Sequence, residues 1–194
     1  MKIRALVVPA VLMLALAGCA PEPVVPTTTP VPTFSTPTPT PTASAAGSQL
    51  TLPEDCDVLV PIAFIHSQFH ESFTSMYFAA DLGGSAAQSF AARDGLTCLW
   101  GIPDSDAGYV TVFAAERGTE TDAQQVAQWR AAGYSECPPF MDECYFEETT
   151  DEIGEVWTVH VLVDGFELQV QATASSMDLL LVTAREAATN MGYV

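Results

Sequence analysis

The stretch from Val156 to Thr173 has a single local solution. Phe166, Leu168, Val170 and Ala172 alternate with Glu167, Gln169, Gln171 and Thr173, the period of a strand with one buried face. The run Val156 to Val163 precedes it, and Asp164-Gly165 lies between, the pair that a two-residue type I′ turn takes because both positions need positive φ. Pairing Val163 with Phe166 places Trp157, Val159 and Val161 opposite Ala172, Val170 and Leu168, so one face is core. The same register sends His160 to the other face, across from Gln169, with Thr158 across from Gln171. That face reads as solvated sheet surface, with a polar binding face as the alternative.

The remaining elements extend this hairpin into a sheet with helices. "LTCLWGIP" and "GYVTVFAA" read as strands joined through Asp104 to Gly108. A first helix is expected near residues 60–70, with Pro61 in its first turn, and a short one in "SAAQSFAARDG". "TDAQQVAQWRAAG" is a helix with a capping box at Thr121 and Gln124 and a stop at Gly133. After Ser176 comes a last helix, with Met177, Leu181, Ala184, Ala188 and Met191 on one apolar stripe. The expected class is α+β: an antiparallel β-sheet with helices packed on one face, disulfide-stapled, after an N-terminal stalk.

The stalk and what precedes it have their own signature. Lys2 and Arg4 lead into an apolar run of about 13 residues, shorter than the ~20 a membrane-spanning helix needs, so 1–18 reads as a signal peptide. Leu16-Ala17-Gly18-Cys19 resembles the lipobox of bacterial lipoproteins, which implies lipidation of Cys19 and an anchor on the extracytoplasmic face of the cell membrane. Residues 20–48 hold eight prolines and eight threonines, the composition of an extended linker. The expected divisions are therefore 1–18, 19–48 and a single domain over 49–194.

Cleavage before Cys19 leaves 24 acids against four arginines, a formal charge of −20. Such a chain repels phosphate backbones, so nucleic acid is not an expected partner; the membrane is engaged through the anchor. It also leaves four cysteines, an even number in an exported chain, which reads as two disulfides. Of three connectivities the expected one is Cys56–Cys98 with Cys137–Cys144, the first tying the opening helix to the sheet and the second closing a short local loop.

Cys56 ahead of a helix and Cys98-Leu99-Trp100 opening a strand pair, behind a lipobox and a Thr/Pro stalk, resemble the actinobacterial lipoprotein domains of unknown function grouped as DUF3558-like and LpqN-related. The resemblance covers roughly residues 50–194. It implies a secreted α+β surface protein and carries no catalytic residues over; the Cys137 and Cys144 pair is not part of that pattern.

Residue chemistry narrows function without naming a reaction. His66 and His70 are four apart, a spacing that puts two imidazoles on one helix face for a metal, but Glu71 follows the second histidine and no third ligand is evident. No cofactor is expected. Seven acids between Asp142 and Glu155 lack the spacing of a calcium loop, and a solvated acidic turn is the expectation. No serine occupies a G-x-S-x-G elbow, so no catalytic residue is assigned. In "CPPFMDEC" the residues Pro138, Pro139, Phe140 and Met141 are the partner-contact candidates, an apolar tip in an acidic rim, against the alternative that Phe140 and Met141 fold back into the core. The expected function is a non-catalytic binding or interaction domain for an unidentified protein or small molecule. The alternatives are a secreted hydrolase or metal-dependent enzyme and a structural envelope protein.

Overall fold

The hairpin fixes the middle of the sheet. In the computed structural model, which describes residues 50–76, 84–106, 108–150, 154–173 and 176–194, β6 (Glu155–Val163) and β7 (Phe166–Thr173) pair antiparallel with Val163 opposite Phe166 and His160 opposite Gln169. Asp164 and Gly165 have φ of 43° and 88°, as a type I′ turn requires. Signal peptide, Cys19 and stalk lie outside the described residues, as do Asp151 and Glu152.

On one side β7 pairs with β3 (Tyr109–Glu116), which continues to β2 (Leu96–Gly101) and β1 (Thr74–Met76). On the other, β6 pairs with β5 (Glu143–Thr150), which is edged by β4 (Ser135–Glu136). The order among the described residues is β1-β2-β3-β7-β6-β5-β4, antiparallel throughout. The first face carries Trp100, Val110, Val112, Val159, Val161, Leu168 and Val170, all completely buried. Over them lies α5 (Met177–Asn190), whose Leu180, Ala184, Ala187 and Ala188 are likewise buried. Each large side chain so buried contributes roughly 1.5–3 kcal/mol of transfer free energy.

The helix expected near residues 60–70 is α2 (Ile62–Gln68), with Pro61 at its N-cap, where a missing N–H costs nothing, and a one-turn helix, α1 (Cys56–Leu59), precedes it. Cys56 is bonded to Cys98 and Cys137 to Cys144. The first bridge ties α1 to β2, and Asn190 Nδ2 donates to Leu59 O at 3.1 Å, fastening α1 to the end of α5.

The helices fall on both faces of the sheet rather than gathering on one. Phe113, Ala115, Tyr145 and Leu162 point away from α5 and are apolar enough to draw cover of their own. α3 (Gly84–Ala91) packs Ala87 and Phe90 on Phe113 and Ala115, and α4 (Asp122–Ala132) packs Val126 and Trp129 on Tyr145 and Leu162. α4 has the capping box at Thr121 and Gln124 and a left-handed Gly133 at its end. After α3 the chain turns through Asp94, at φ 53°, into Gly95. A Cβ on Gly95 would lie 2.6 Å from Ala114 O, so the absent side chain is what lets α3 lie this close to β3.

Candidate functional site

Between α3 and α4 the second face of the sheet is polar and yet covered. Thr111, Thr158, His160 and Gln169 are all under 10% exposed. The alternating pattern of the hairpin read Thr158, His160 and Gln169 as solvated surface, and that expectation is corrected: all three are buried, with Trp129 of α4 and Tyr134 after it lying against His160. The His160 ring lies 5.2 Å from Trp129 and 5.1 Å from Tyr134. Burial holds its pKa at about 4, and neither ring nitrogen has a hydrogen-bond partner. The Tyr145 hydroxyl, one strand over in the same row, is buried and unpaired as well. Tyr134 is pushed above its ordinary value by burial and by neighbouring Glu147.

Beside this roofed row opens a cleft of about 410 Å³, within the range of small-molecule sites. Two helices, the connection before α4 and the sheet build it. The end of α3 supplies Ser89 and, one turn on, Arg93; the β3–α4 connection supplies Arg117 to Glu120; α4 supplies Gln125 and Gln128. Leu162 and Glu167 are contributed by the sheet.

Arg93 is fully engaged in holding the wall. Its Nε donates to Ser89 O at 3.1 Å, Nη1 to Glu116 O at 3.0 Å, and Nη2 pairs with Glu167 Oε2 at 2.8 Å. Its guanidinium carbon lies 4.6 Å above the Phe90 ring. Burial raises the Glu167 carboxyl above the usual carboxylate range, while Arg93 opposes that rise and Glu120 adds to it.

The opposite wall is braced by amides. Gln128 Nε2 donates to Glu120 Oε2 at 2.9 Å. Gln125, with its amide turned to satisfy both ends, donates to the same oxygen at 3.3 Å and accepts from Trp129 Nε1 at 3.0 Å. Arg117 is pinned through its backbone N–H to Gly165 O at 2.9 Å and through Nη1 to Asp122, in the first turn of α4. Its Nε is buried with no partner.

The other residues singled out from the sequence lie elsewhere. α2 ends at Gln68, so His66 and His70 do not share a helix face. His66 Nε2 lies 2.8 Å from Phe73 O, and His70 Nδ1 accepts from Ser72 N–H at 3.0 Å. No group of three metal-ligating side chains forms among the described residues. In the 137–144 loop, Pro138 and Pro139 are exposed, while Phe140 and Met141 are half-buried against the main core. Arg185 lies 4.7 Å above the Phe140 ring. A cavity of about 270 Å³ borders that loop, with Glu136 and Asp142 in its rim.

Comparison with protein-family models, with curated proteins and with solved structures finds no match to this chain, so the site is read from its own geometry. Arg93, Arg117 and Glu167 were not singled out from the sequence, being 24 and 50 residues apart. One signal pointed to them: beyond Arg4 the chain has only four lysine or arginine side chains, all of them arginines, against 24 acids, and two of the four meet in one cleft.

Proposed function

We propose that this chain is a lipid-anchored extracytoplasmic protein whose folded domain binds a small polar ligand in the cleft between α3 and α4 and does not transform it. The observation that carries the reading is the cleft itself, with walls fixed by Arg93 and by the Glu120–Gln125–Gln128 brace. A cleft of small-molecule size whose polar walls are already held in place is a preorganised binding surface. Its carboxylates support binding over catalysis, because Glu167 is held by Arg93 and Glu120 by two amides, leaving no free acid–base pair between them.

The two disulfides support an oxidising compartment, and the lipobox at residues 16–19 supports the anchor. The resemblance of Cys56 and residues 98–100 to the DUF3558-like lipoproteins points the same way. Two acyl chains or more suffice for stable attachment.

Replacing the anchoring thiol tests the membrane half of the reading. A Cys19→Ala chain is expected to lose incorporated palmitate label and to leave the membrane fraction. Retention of both label and membrane association contradicts the anchor.

A further inference from the structure

Resting on the binding reading for what it does to the cleft, we infer that α4 is an acid-released cover, seated on the sheet while the His160 ring is neutral and lifted, with the cleft wall it carries, when that ring takes a proton. α4 is lightly held. Its segment is fastened at the ends, by Arg117 N–H to Gly165 O and by the pairing of Ser135 with Phe146. Between them Gln125 and Gln128 bond to Glu120, and Trp129 to Gln125. These bonds close within the segment and do not reach the sheet. What seats the helix is the packing of Val126 and Trp129 on Tyr145 and Leu162, whereas α5 buries Leu180, Leu181 and three alanines. Elements seated by few buried contacts are the ones that open locally.

His160 lies in the middle of that seat. Trp129 and Tyr134 lie against its ring, with Tyr145 opposite on β5 and Gln169 opposite on β7. Both ring nitrogens are buried without a partner, so an imidazolium would aim two N–H donors at positions where no partner stands. The charged groups of this face are engaged elsewhere. Glu147 of β5 meets the Tyr134 hydroxyl, Glu167 of β7 pairs with Arg93, and Arg130 of α4 lies 5.5 Å over the Tyr145 ring. The seated form therefore excludes the proton and the lifted form accepts it. Lifting also parts Tyr134 from Glu147, whose strand partner is Thr158, and leaves that carboxylate diagonal to the imidazolium.

Gln125 and Gln128 line the cleft, so lifting α4 removes one of its walls. Acid then weakens binding there whether or not the ligand titrates. With the ring at about 4 when seated and near 6.5 when exposed, the lifted form gains on the seated one roughly 50-fold between about pH 7 and about pH 4.5.

Amide hydrogen exchange of the full chain, corrected for the intrinsic pH dependence of exchange, tests the release. Peptides from 118–134 are expected to lose protection roughly 50-fold from about pH 7 to about pH 4.5, with β3 and β7 better protected than α4 at both. In His160→Phe and in His160→Gln that loss should be largely abolished. Unchanged protection of 118–134 in the native chain, or α4 exchanging in step with β3 and β7, overturns the release. So does a loss as large in both variants as in the parent. The readout needs no ligand, so a chain that carries nothing from the cell defeats the binding reading alone and leaves the release standing.

Discussion

A chain with Cys56→Ser and Cys98→Ser is expected to be about 4 kcal/mol less stable than the parent, the loop-closure entropy of a cross-link of this span. The bridge joins positions 42 apart, and what it restrains is large. Leu59, Val60, Ile65 and Phe73 all lie within the closed segment and are buried in the main core. In the unbridged unfolded chain, α1, α2 and β1 are free to wander from the sheet that receives them. Cys137–Cys144 spans only 7 positions, and the same relation gives about 2 kcal/mol for its removal. Urea unfolding of the two double variants checks the order: the midpoint should fall further for the long loop. Equal losses, or a greater loss from the 137–144 bridge, contradict the assigned role of the first.

Stability should also fall in acid because of one residue. His160 has a folded pKa of about 4 against an ordinary value of 6.5. Between those values the unfolded chain binds a proton at this position and the folded chain does not, so stability rises with pH through the window. The contribution is complete above about pH 6.5 and is lost as pH falls toward 4, roughly 3 kcal/mol over the interval. His160→Phe keeps an aromatic ring between Trp129 and Tyr134 and removes the titration. Its unfolding free energy should therefore decline less between pH 7 and pH 4. Glu167, raised by burial, acts in the opposite sense and is common to both chains, so the difference between them isolates the histidine. Parallel pH profiles would mean that His160 reaches solvent.

What the sequence revealed and what it concealed divide along chain separation. The hairpin register, the α4 capping box and the Gly133 stop were legible because each is decided within a few residues by turn chemistry and period. The core face was legible from the same alternation, with α5 supplying the matching stripe. The second face was not, because polar alternation looks the same whether a strand faces water or a helix returning from elsewhere. Nothing local to Thr158, His160, Gln169 or Gln171 announces that α3 and α4 will cover that side. The signal lay in Phe113, Tyr145 and Leu162, apolar residues on the face assumed to be wet. The cleft was hidden for the same reason: it exists only once Arg93, Arg117 and Glu167 are brought together by β3 and β7, which pair Ala115 with Glu167.

Occupancy of the cleft is the most direct test that it binds a ligand. Gly118 lines it, and a Cβ there would meet only Arg93 Cδ, at 3.9 Å, so Gly118→Trp fills the space without straining the backbone. Native mass spectrometry of the full chain, isolated gently from cells, is expected to show a small molecule on the parent and none on Gly118→Trp, with the two melting within a few degrees of each other. A parent chain that carries nothing, or a ligand retained equally by both chains, contradicts the cleft as the site.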